Sequence, residues 1–437
     1  MKVLKFIFLG FFIISCKTSS GVIESTPKET NIEAALSALF PEATISEIKH
    51  TDHFKASYQI ILKQNLDHNN PSAGSFNHYI YLSHFDFDAP MVFVTEGYNA
   101  RYRTYELSRL FRSNQVIIEY RFYGKSRPNP IPWKYLKNDQ AISDYHNIIS
   151  KLKTLYKGKY ISTGISKGGE TVLIYKSKYP KDIDVAIPYV APLINGTEDP
   201  RTTQHINTVG TSACREKIKE FQRALLVKRE EIIPIIETYA KENNMNFNEV
   251  PFPEALEYGT LEFSFSFWQW GGDCNAIPNP DATAKELFDY LNKIVGIRFY
   301  SDAVYHDLLP SYYQHLIELG YYGFDMEPVS DLLQVVKSSS NDRFAPKNIA
   351  LTYNPNYIQK VRDYVENKGD KILYIYGAYD TWGACAPNPK KHVDALKMLL
   401  PKAPHSTRIK HFPKQDKELI YRKLRSWLGK DIIKEKL

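Results

Sequence analysis

A serine lies at the centre of the sequence GISKGG, residues 164–169, where a β-branched run gives way to a helical pattern. In a nucleophile elbow, serine takes a strained backbone conformation at a sharp strand-to-helix turn, and glycines flank it because side chains there would clash. A tightly packed Gly-rich turn between a strand and a helix is the structural alternative. Structural serines seldom need such a corner, so we predict that Ser166 is a nucleophile.

Backbone groups near Ser166 could stabilise the oxyanion of a tetrahedral intermediate. The helix after Ser166 would supply the positive end of its dipole and the N–H of Lys167. A second donor usually comes from the loop after the third strand of such a sheet. The run MVFVTEGYNAR ends a predicted buried strand at this place. We therefore expect a backbone N–H near Gly97 or Tyr98 to be the second donor.

Glu96 precedes these two residues and has two interpretations. Its carboxylate could bind the free ammonium group of a peptide, which would turn an endopeptidase into an exopeptidase. It could equally form a salt bridge with Arg121 or Arg101. Both interpretations stay open at this point.

A serine nucleophile needs a base, and in this kind of fold an aspartate and then a histidine follow the serine along the chain. Asp380 comes directly after a predicted buried strand in ILYIYGAYD, where its carboxylate could fix the tautomer of the base. His411 lies at the end of the expected short strand STRIKHF and just before a helix, so we predict that His411 is the base. The rival His405 precedes that expected strand and should lie at the opposite edge of the sheet, and His392 is expected on a helix.

The elements that must position these residues alternate between strands and helices. Two runs, ASYQIILKQNL and HYIYLSHFD, alternate as in antiparallel strands, whereas later runs such as APMVFVTEGY and DVAIPYVAP are continuously apolar, as in parallel strands that are buried on both faces. Helical patterns separate the later strands, which predicts an α/β fold with a mostly parallel sheet. After Pro192 the sequence becomes rich in helical and aromatic patterns, and strand patterns resume at DKILYIYGAYD. The sequence thus predicts an α/β-hydrolase fold with an inserted helical lid.

We expect five segments along the 437 residues. They are a signal peptide, 1–15; a lipidated tether with an N-terminal segment, 16–55; the first part of the α/β-hydrolase core, 56–194; the helical lid, 195–368; and the second part of the core, 369–437.

The N-terminal sequence MKVLKFIFLGFFIISCKTSS indicates export. Its apolar stretch is too short for a comfortable transmembrane helix. Small residues before Cys16, and a polar stretch after it, resemble a bacterial lipobox, which implies that Cys16 is lipidated and anchors the protein to a membrane. An ordinary secretory signal with an incidental cysteine is the alternative. Of the three remaining cysteines, Cys214 and Cys274 both fall in the lid segment, and we favour this pair for a disulfide bond.

The formal net charge is +7, and +5 without Lys2 and Lys5 of the signal segment. The chain has no run of basic residues interleaved with aromatic ones, so we expect no nucleic-acid partner. No Cys/His spacing resembles a metal site, and we expect neither a metal nor an organic cofactor, because a covalent acyl-enzyme needs none.

Several segments together resemble those of the secreted bacterial tripeptidyl aminopeptidases, a family that includes the prolyl tri/tetrapeptidyl aminopeptidases. The segments are FVTEGYN, NQVIIEYRFYGKSRPNPIPW, DYHNIISKL, TGISKGGET, YPKDIDVAIPYVAP, FSFWQWGGDCNAIP and YYQHLIELGYYGFD. The stretch EYRFYGKSRP also resembles the lysosomal Pro-X carboxypeptidase group. The likeness covers residues 75 to 385. It implies a serine peptidase that releases short peptides from free N-termini, often after proline.

The resemblance assigns the nucleophile to Ser166 and the acid to Asp380. By analogy, Trp268, Trp270 and Tyr312 would line the lid side of the substrate pocket, where aromatic walls suit a proline ring. Each of these aromatic residues could instead belong to the core of the lid.

We therefore predict a membrane-anchored exported serine exopeptidase. An esterase of the same fold stays open as an alternative. A catalytically impaired binding relative also stays open, because Phe412 and Pro413 follow His411 where the family has a glycine.

Overall fold

A computed structural model describes residues 31–435 and 437. The predicted signal peptide, 1–15, and the predicted lipidation site Cys16 lie outside the described residues. Within the described part, every helix is too short or too polar to cross a lipid bilayer.

The described residues form one sheet of nine strands in the spatial order β1-β2-β3-β5-β4-β6-β7-β8-β9. The first three strands and the β3–β5 pair are antiparallel, and all pairs from β5 to β9 are parallel. This agrees with the predicted change from alternating to continuously apolar runs. The strands are β1 Thr44–Ile48, β2 Ala56–Asn65, β3 Ser75–His84, β4 Met91–Thr95, β5 Asn114–Ile118, β6 Tyr160–Ile165, β7 Val185–Tyr189, β8 Leu373–Gly377 and β9 Leu396–Leu400.

Helices cover both faces of the sheet and form two separate apolar cores against it. One core lies between the sheet and four helices: α1 Ile32–Leu39, α3 Asn138–Leu155, α4 Lys167–Lys178 and α11 Pro355–Asn367. The other core lies between the opposite face of the sheet and two helices: α2 Glu106–Phe111 and α12 Lys414–Leu428. This three-layer arrangement buries the central strands β4 to β8 on both faces, which is why they read as continuously apolar.

The segment between β7 and β8 contributes a helical lid with a third apolar core of its own. Its helices are α5 Pro200–Ile206, α6 Ser212–Val227, α7 Arg229–Glu242, α8 Phe252–Trp270, α9 Ala284–Ile294 and α10 Asp302–Gln314. Helix α8 is buried along most of its length and is the central helix of the lid. A disulfide bond joins Cys214 at the start of α6 to Cys274 just beyond α8.

Two elements differ from the sequence predictions. β1 lies in the segment 16–55, for which only a lipidated tether and an N-terminal segment were expected, and it pairs with β2 at the antiparallel edge. At the other edge, the last strand is Leu396–Leu400 and not the expected STRIKHF run, whose Ile409–His411 part forms a single 3₁₀ turn. His392, expected on a helix, lies in the turn before this strand. Because the last strand lies earlier in the chain than expected, a different histidine follows it.

Candidate active site

Ser166 lies at a strained corner between β6 and α4. Its backbone has φ 57° and ψ −125°, a conformation that non-glycine residues rarely adopt. Glycine on either side is required by close backbone contact, since a Cβ on Gly164 would lie 2.3 Å from the Gly168 carbonyl oxygen and a Cβ on Gly168 would lie 2.6 Å from the Thr95 carbonyl oxygen. The predicted strand-to-helix elbow is therefore present, and Ser166 keeps partial solvent exposure there.

The loop after β4 packs directly on this corner. A Cβ on Gly97 would lie only 2.6 Å from the Gly168 nitrogen, so only glycine allows the loop to approach the elbow so closely. The hydroxyl group of Thr95 donates a hydrogen bond of 2.8 Å to the Gly168 carbonyl and fixes β4 to the start of α4. These contacts bring the predicted oxyanion residues Gly97 and Tyr98 next to Lys167.

Asp380 follows β8, and its partner is His405. The Nδ1–H group of His405 donates a hydrogen bond of 2.8 Å to Oδ2 of Asp380, and both side chains are buried. The other carboxylate oxygen, Oδ1, accepts a bond of 3.2 Å from the backbone N–H of Trp382. This arrangement holds one tautomer of the imidazole and leaves Nε2 available as a base.

The prediction that His411 pairs with Asp380 is wrong. Nδ1 of the exposed His411 ring accepts a hydrogen bond of 3.1 Å from the backbone N–H of Arg408. The backbone N–H of Ile409, in the same turn, is bound by the Glu106 carboxylate at 3.0 Å, which fixes the turn beside α2. His405 pairs with Asp380 instead because it follows strand β9. It therefore lies at the carboxyl edge of the sheet together with Ser166 and Asp380.

Glu96 lies beside the elbow but already has partners. The Tyr105 hydroxyl donates a hydrogen bond of 2.6 Å to its carboxylate, and a guanidinium nitrogen of Arg103 lies 3.9 Å away. Burial raises the pKa of Glu96, and the Tyr105 bond opposes that rise. The expected alternative partner Arg121 is instead bound to Asp144. The Glu96 side chain is 17% exposed, so it is largely but not completely covered.

The three aromatic residues predicted to line the pocket have different environments. Trp270 is 55% exposed, and its ring centre lies 5.7 Å from the His405 ring centre with the two planes nearly perpendicular, so it stands beside His405. Trp268 is only 1% exposed and packs on Tyr379, which places it in the lid core and corrects its assignment to a pocket wall. Tyr312 is half-buried and stacks on Phe344 with ring centres 5.2 Å apart.

A second carboxylate near these aromatic residues was not predicted. Glu262 lies on α8, and it keeps partial exposure although its neighbours Leu261 and Phe263 are buried. Its oxygens accept hydrogen bonds of 2.6 Å from Ser266 and 2.6 Å from Tyr322. Burial raises its pKa to about 7, and these two bonds oppose the rise. A single acidic residue inside the apolar run LEFSFSFWQW was the signal that could have identified it.

Within residues 31–435 and 437, no group of three or more His, Cys, Asp or Glu side chains is arranged to hold a metal ion. The chemistry available at the described site is that of a serine, an imidazole, a carboxylate and backbone N–H groups. These groups suit acyl transfer through a covalent intermediate.

The sequence is similar to those of known peptidases. The family model described as PS-10 peptidase S37 matches residues 25–430. A prolyl tri/tetrapeptidyl aminopeptidase of Streptomyces mobaraensis is 34% identical over 326 residues, which cover 73% of this chain and 68% of that protein. A prolyl carboxy peptidase like protein of Caenorhabditis elegans is 27% identical over 135 residues, which cover 26% of this chain and 27% of that protein. Among solved structures, a proline iminopeptidase of Mycobacterium smegmatis covers 89% of this chain and 99% of its own, with 12% identity and a TM-score of 0.38.

Proposed function

This chain belongs to the PS-10 peptidase S37 family of serine peptidases, and on that premise we propose that it releases short peptides from free N-termini through Ser166, His405 and Asp380. The observation that carries the proposal is the His405–Asp380 hydrogen bond of 2.8 Å at the sheet edge where the strained Ser166 lies. The fold is that of an α/β-hydrolase, in which this edge carries the catalytic groups.

In the proposed mechanism, Oγ of Ser166 attacks the scissile carbonyl carbon while Nε2 of His405 takes the serine proton. Asp380 stabilises the imidazolium that forms, through the Nδ1–H hydrogen bond. The oxyanion is held by the backbone N–H of Lys167 and by one from the Gly97–Tyr98 loop. The C–N bond then breaks, and His405 gives the proton to the leaving amine. Water, activated by the same imidazole, hydrolyses the acyl-enzyme and restores Ser166.

We propose peptides of three or four residues as the released products, with proline before the cut among the accepted residues. The similarity to the Streptomyces prolyl tri/tetrapeptidyl aminopeptidase supports this length and preference. Trp270 supports it physically, because an exposed indole beside the base offers an apolar face to a proline ring.

Recognition of a free N-terminus requires an anion at a fixed distance from Ser166. Glu96 is the candidate adjacent to the nucleophile, although Arg103 already lies 3.9 Å from it. Glu262 is the candidate on the lid, and among the described residues no Lys, Arg or His side chain lies within ion-pair distance of its carboxylate. We propose that at least one of these two carboxylates binds the substrate ammonium group.

A substrate pair tests this function. The protein should cleave a proline-containing tetrapeptide amide with a free amine and should lose at least about tenfold in kcat/KM on its N-acetylated form, since the ammonium contact is removed. Glu96→Gln and Glu262→Gln identify the carboxylate, because the responsible variant should lose the preference for the free amine. Equal turnover of both peptides would contradict an aminopeptidase, and turnover of simple esters alone would favour the esterase alternative.

We also propose that the protein is exported and is held on a membrane by a lipid attached to Cys16. The lipobox-like sequence before Cys16 and the polar stretch after it support this proposal.

A further inference from the structure

The side chain of Lys167, the residue after the nucleophile, points into the protein and not into solvent. Its Nζ group donates a hydrogen bond of 2.8 Å to the carbonyl oxygen of Gly97, and the residue is 2% exposed. Three tyrosine rings surround the ammonium group, at 3.6 Å for Tyr120, 5.1 Å for Tyr123 and 5.6 Å for Tyr98. The lysine is thus held in an aromatic cage directly beneath the candidate oxyanion site.

This position is unfavourable for a lysine on stability grounds alone. The ammonium group is buried at the N-terminus of α4, where the helix dipole is positive. Its hydrogen bond goes to a backbone carbonyl and not to a carboxylate. Burial lowers the pKa of Lys167 to about 7, while Glu170 and Glu318 oppose the fall. Such a costly group, placed next to a nucleophile, suggests a role in the reaction.

The Gly97 carbonyl belongs to the peptide unit that carries the Tyr98 N–H. In a trans peptide the C=O and the N–H point in opposite directions across one plane. A cation bound to the oxygen therefore fixes the direction of the Tyr98 N–H, and it also polarises that N–H into a stronger donor. The close packing of Gly97 on the backbone of Lys167 and Gly168 places this peptide beside Ser166.

We propose that the Lys167 side chain is a positioning residue, which aims and polarises the Tyr98 N–H as the second oxyanion donor. Lys167 then contributes to both oxyanion donors. Its own backbone N–H is the first donor, and its ammonium group orients the second donor, the Tyr98 N–H, through the Gly97–Tyr98 peptide. This proposal rests on the proposed function, because an oxyanion forms only if Ser166 attacks a carbonyl group.

Nuclear magnetic resonance tests the physical claim without turnover. The sequence holds only two Gly-Tyr dipeptides, Gly97–Tyr98 and Gly320–Tyr321, so glycine labelled with ¹³C at the carbonyl and tyrosine labelled with ¹⁵N give two correlated amide signals. In the Ser166→Ala protein, adding Lys167→Met should move the Tyr98 amide proton to lower frequency, since its N–H loses polarisation. The Tyr321 signal should move less, because the Gly320 carbonyl is bound by His315 at 2.8 Å and not by Lys167, whose charge acts on His315 only through space.

Steady-state kinetics test the effect of the Lys167 side chain on turnover, in the protein with Ser166 intact. Lys167→Met should lower kcat by about tenfold to a hundredfold, less than removal of a whole oxyanion donor, with KM changed by less than about threefold. Lys167→Gln should recover part of kcat, because its amide is a neutral donor. Lys176→Met is the matched control, since Lys176 is also buried on α4 and bonds a backbone carbonyl, that of Pro180, at 3.3 Å.

An unmoved Tyr98 signal, or a loss confined to KM, would overturn the proposal. Failure of both Lys167 variants to fold, while Lys176→Met folds, would assign the ammonium group a purely structural role and would overturn it as well. The Tyr98 signal could move as expected while Ser166 of the wild-type protein fails to react with any peptide. That pair of results would support the contact between Lys167 and the Gly97 carbonyl and would contradict only the proposed function.

Discussion

At the scale of single residues, the strained turn at Ser166 and the position of Asp380 after a buried strand could be predicted from the sequence, whereas the histidine that pairs with Asp380 could not. Ser166 is marked by the glycines that its corner requires, and Asp380 by the buried strand before it. The histidine partner of Asp380 was predicted wrongly because β9 has a weak pattern. Only Met398 of its five residues is buried and Leu399 is 54% exposed, as befits an edge strand that has one covered face. Without that strand, His405 could not be placed at the carboxyl edge.

The two histidines give a direct prediction at this scale. His405→Ala should lower kcat by about a thousandfold or more, because the base and its link to Asp380 are both lost. His411→Ala should change kcat by less than about twofold, since that ring is exposed and its Nδ1 bonds the backbone N–H of Arg408 and not Asp380. Steady-state kinetics on a peptide substrate check both variants. The reverse order of effects would restore His411 as the base.

At the scale of elements, buried polar contacts hold strands β2 and β5 against helix α3. Arg121, after β5, donates two hydrogen bonds of 2.7 Å and 2.8 Å to the carboxylate of Asp144 on α3. The same guanidinium binds the carbonyl groups of Asn65, Leu66 and Tyr135, so it joins β2, β5 and α3. The sequence predicted each of these elements, but Arg121 was assigned only as a possible partner of Glu96. A contact between segments distant in sequence depends on how the elements pack, which the pattern of one chain does not show.

Breaking this ion pair should destabilise the fold strongly. Asp144→Asn should lower the free energy of unfolding by about 3–5 kcal/mol at pH 7, because Arg121 would remain buried with its charge uncompensated. Urea denaturation measures the change. Asp331→Asn is the matched control, since Asp331 forms a similar two-bond pair with Arg223 on the exposed surface of the lid, and it should have little effect.

The pH dependence of this stability follows from the pKa of Asp144. Burial alone would raise that pKa, but the charge of Arg121 and the bond from His68 outweigh burial and lower it. The contribution is therefore fully present above the unfolded value of about 4 and is lost as the pH falls through the lower folded value. The difference between wild type and Asp144→Asn should shrink below about pH 4. If the difference in the free energy of unfolding between the two proteins stays unchanged at acid pH, the ionised Asp144 is not the source of this stability.

At the scale of the whole molecule, the α/β-hydrolase sheet and its helical lid could be predicted because buried parallel strands and amphipathic helices have distinct periods. The lid follows β7 and returns before β8, so it stands over the edge that carries Ser166 and Asp380. The sequence patterns also indicated the Cys214–Cys274 pair, which the structure joins within the lid. They did not show which aromatic residues face the site, because Trp268 and Trp270 lie two positions apart on one helix and only packing separates core from surface.

Membrane attachment is a prediction about the whole chain. Cys16→Ser should move the protein from the membrane fraction to the soluble fraction of expressing bacteria, because the lipid acceptor is removed. Cell fractionation with immunodetection measures this, and Cys385→Ser serves as the cysteine control, since Cys385 is buried in the described structure. Retention of Cys16→Ser on membranes would contradict lipid anchoring at this residue.

Covalent labelling tests the central claim most directly. A fluorophosphonate should add to the intact folded protein at Ser166, seen by mass spectrometry of the peptide that contains residues 160–180. The adduct should persist in His411→Ala and should form far more slowly in His405→Ala. Absence of the adduct on folded wild-type protein, or its undiminished formation in His405→Ala, would contradict an activated serine served by the His405–Asp380 pair.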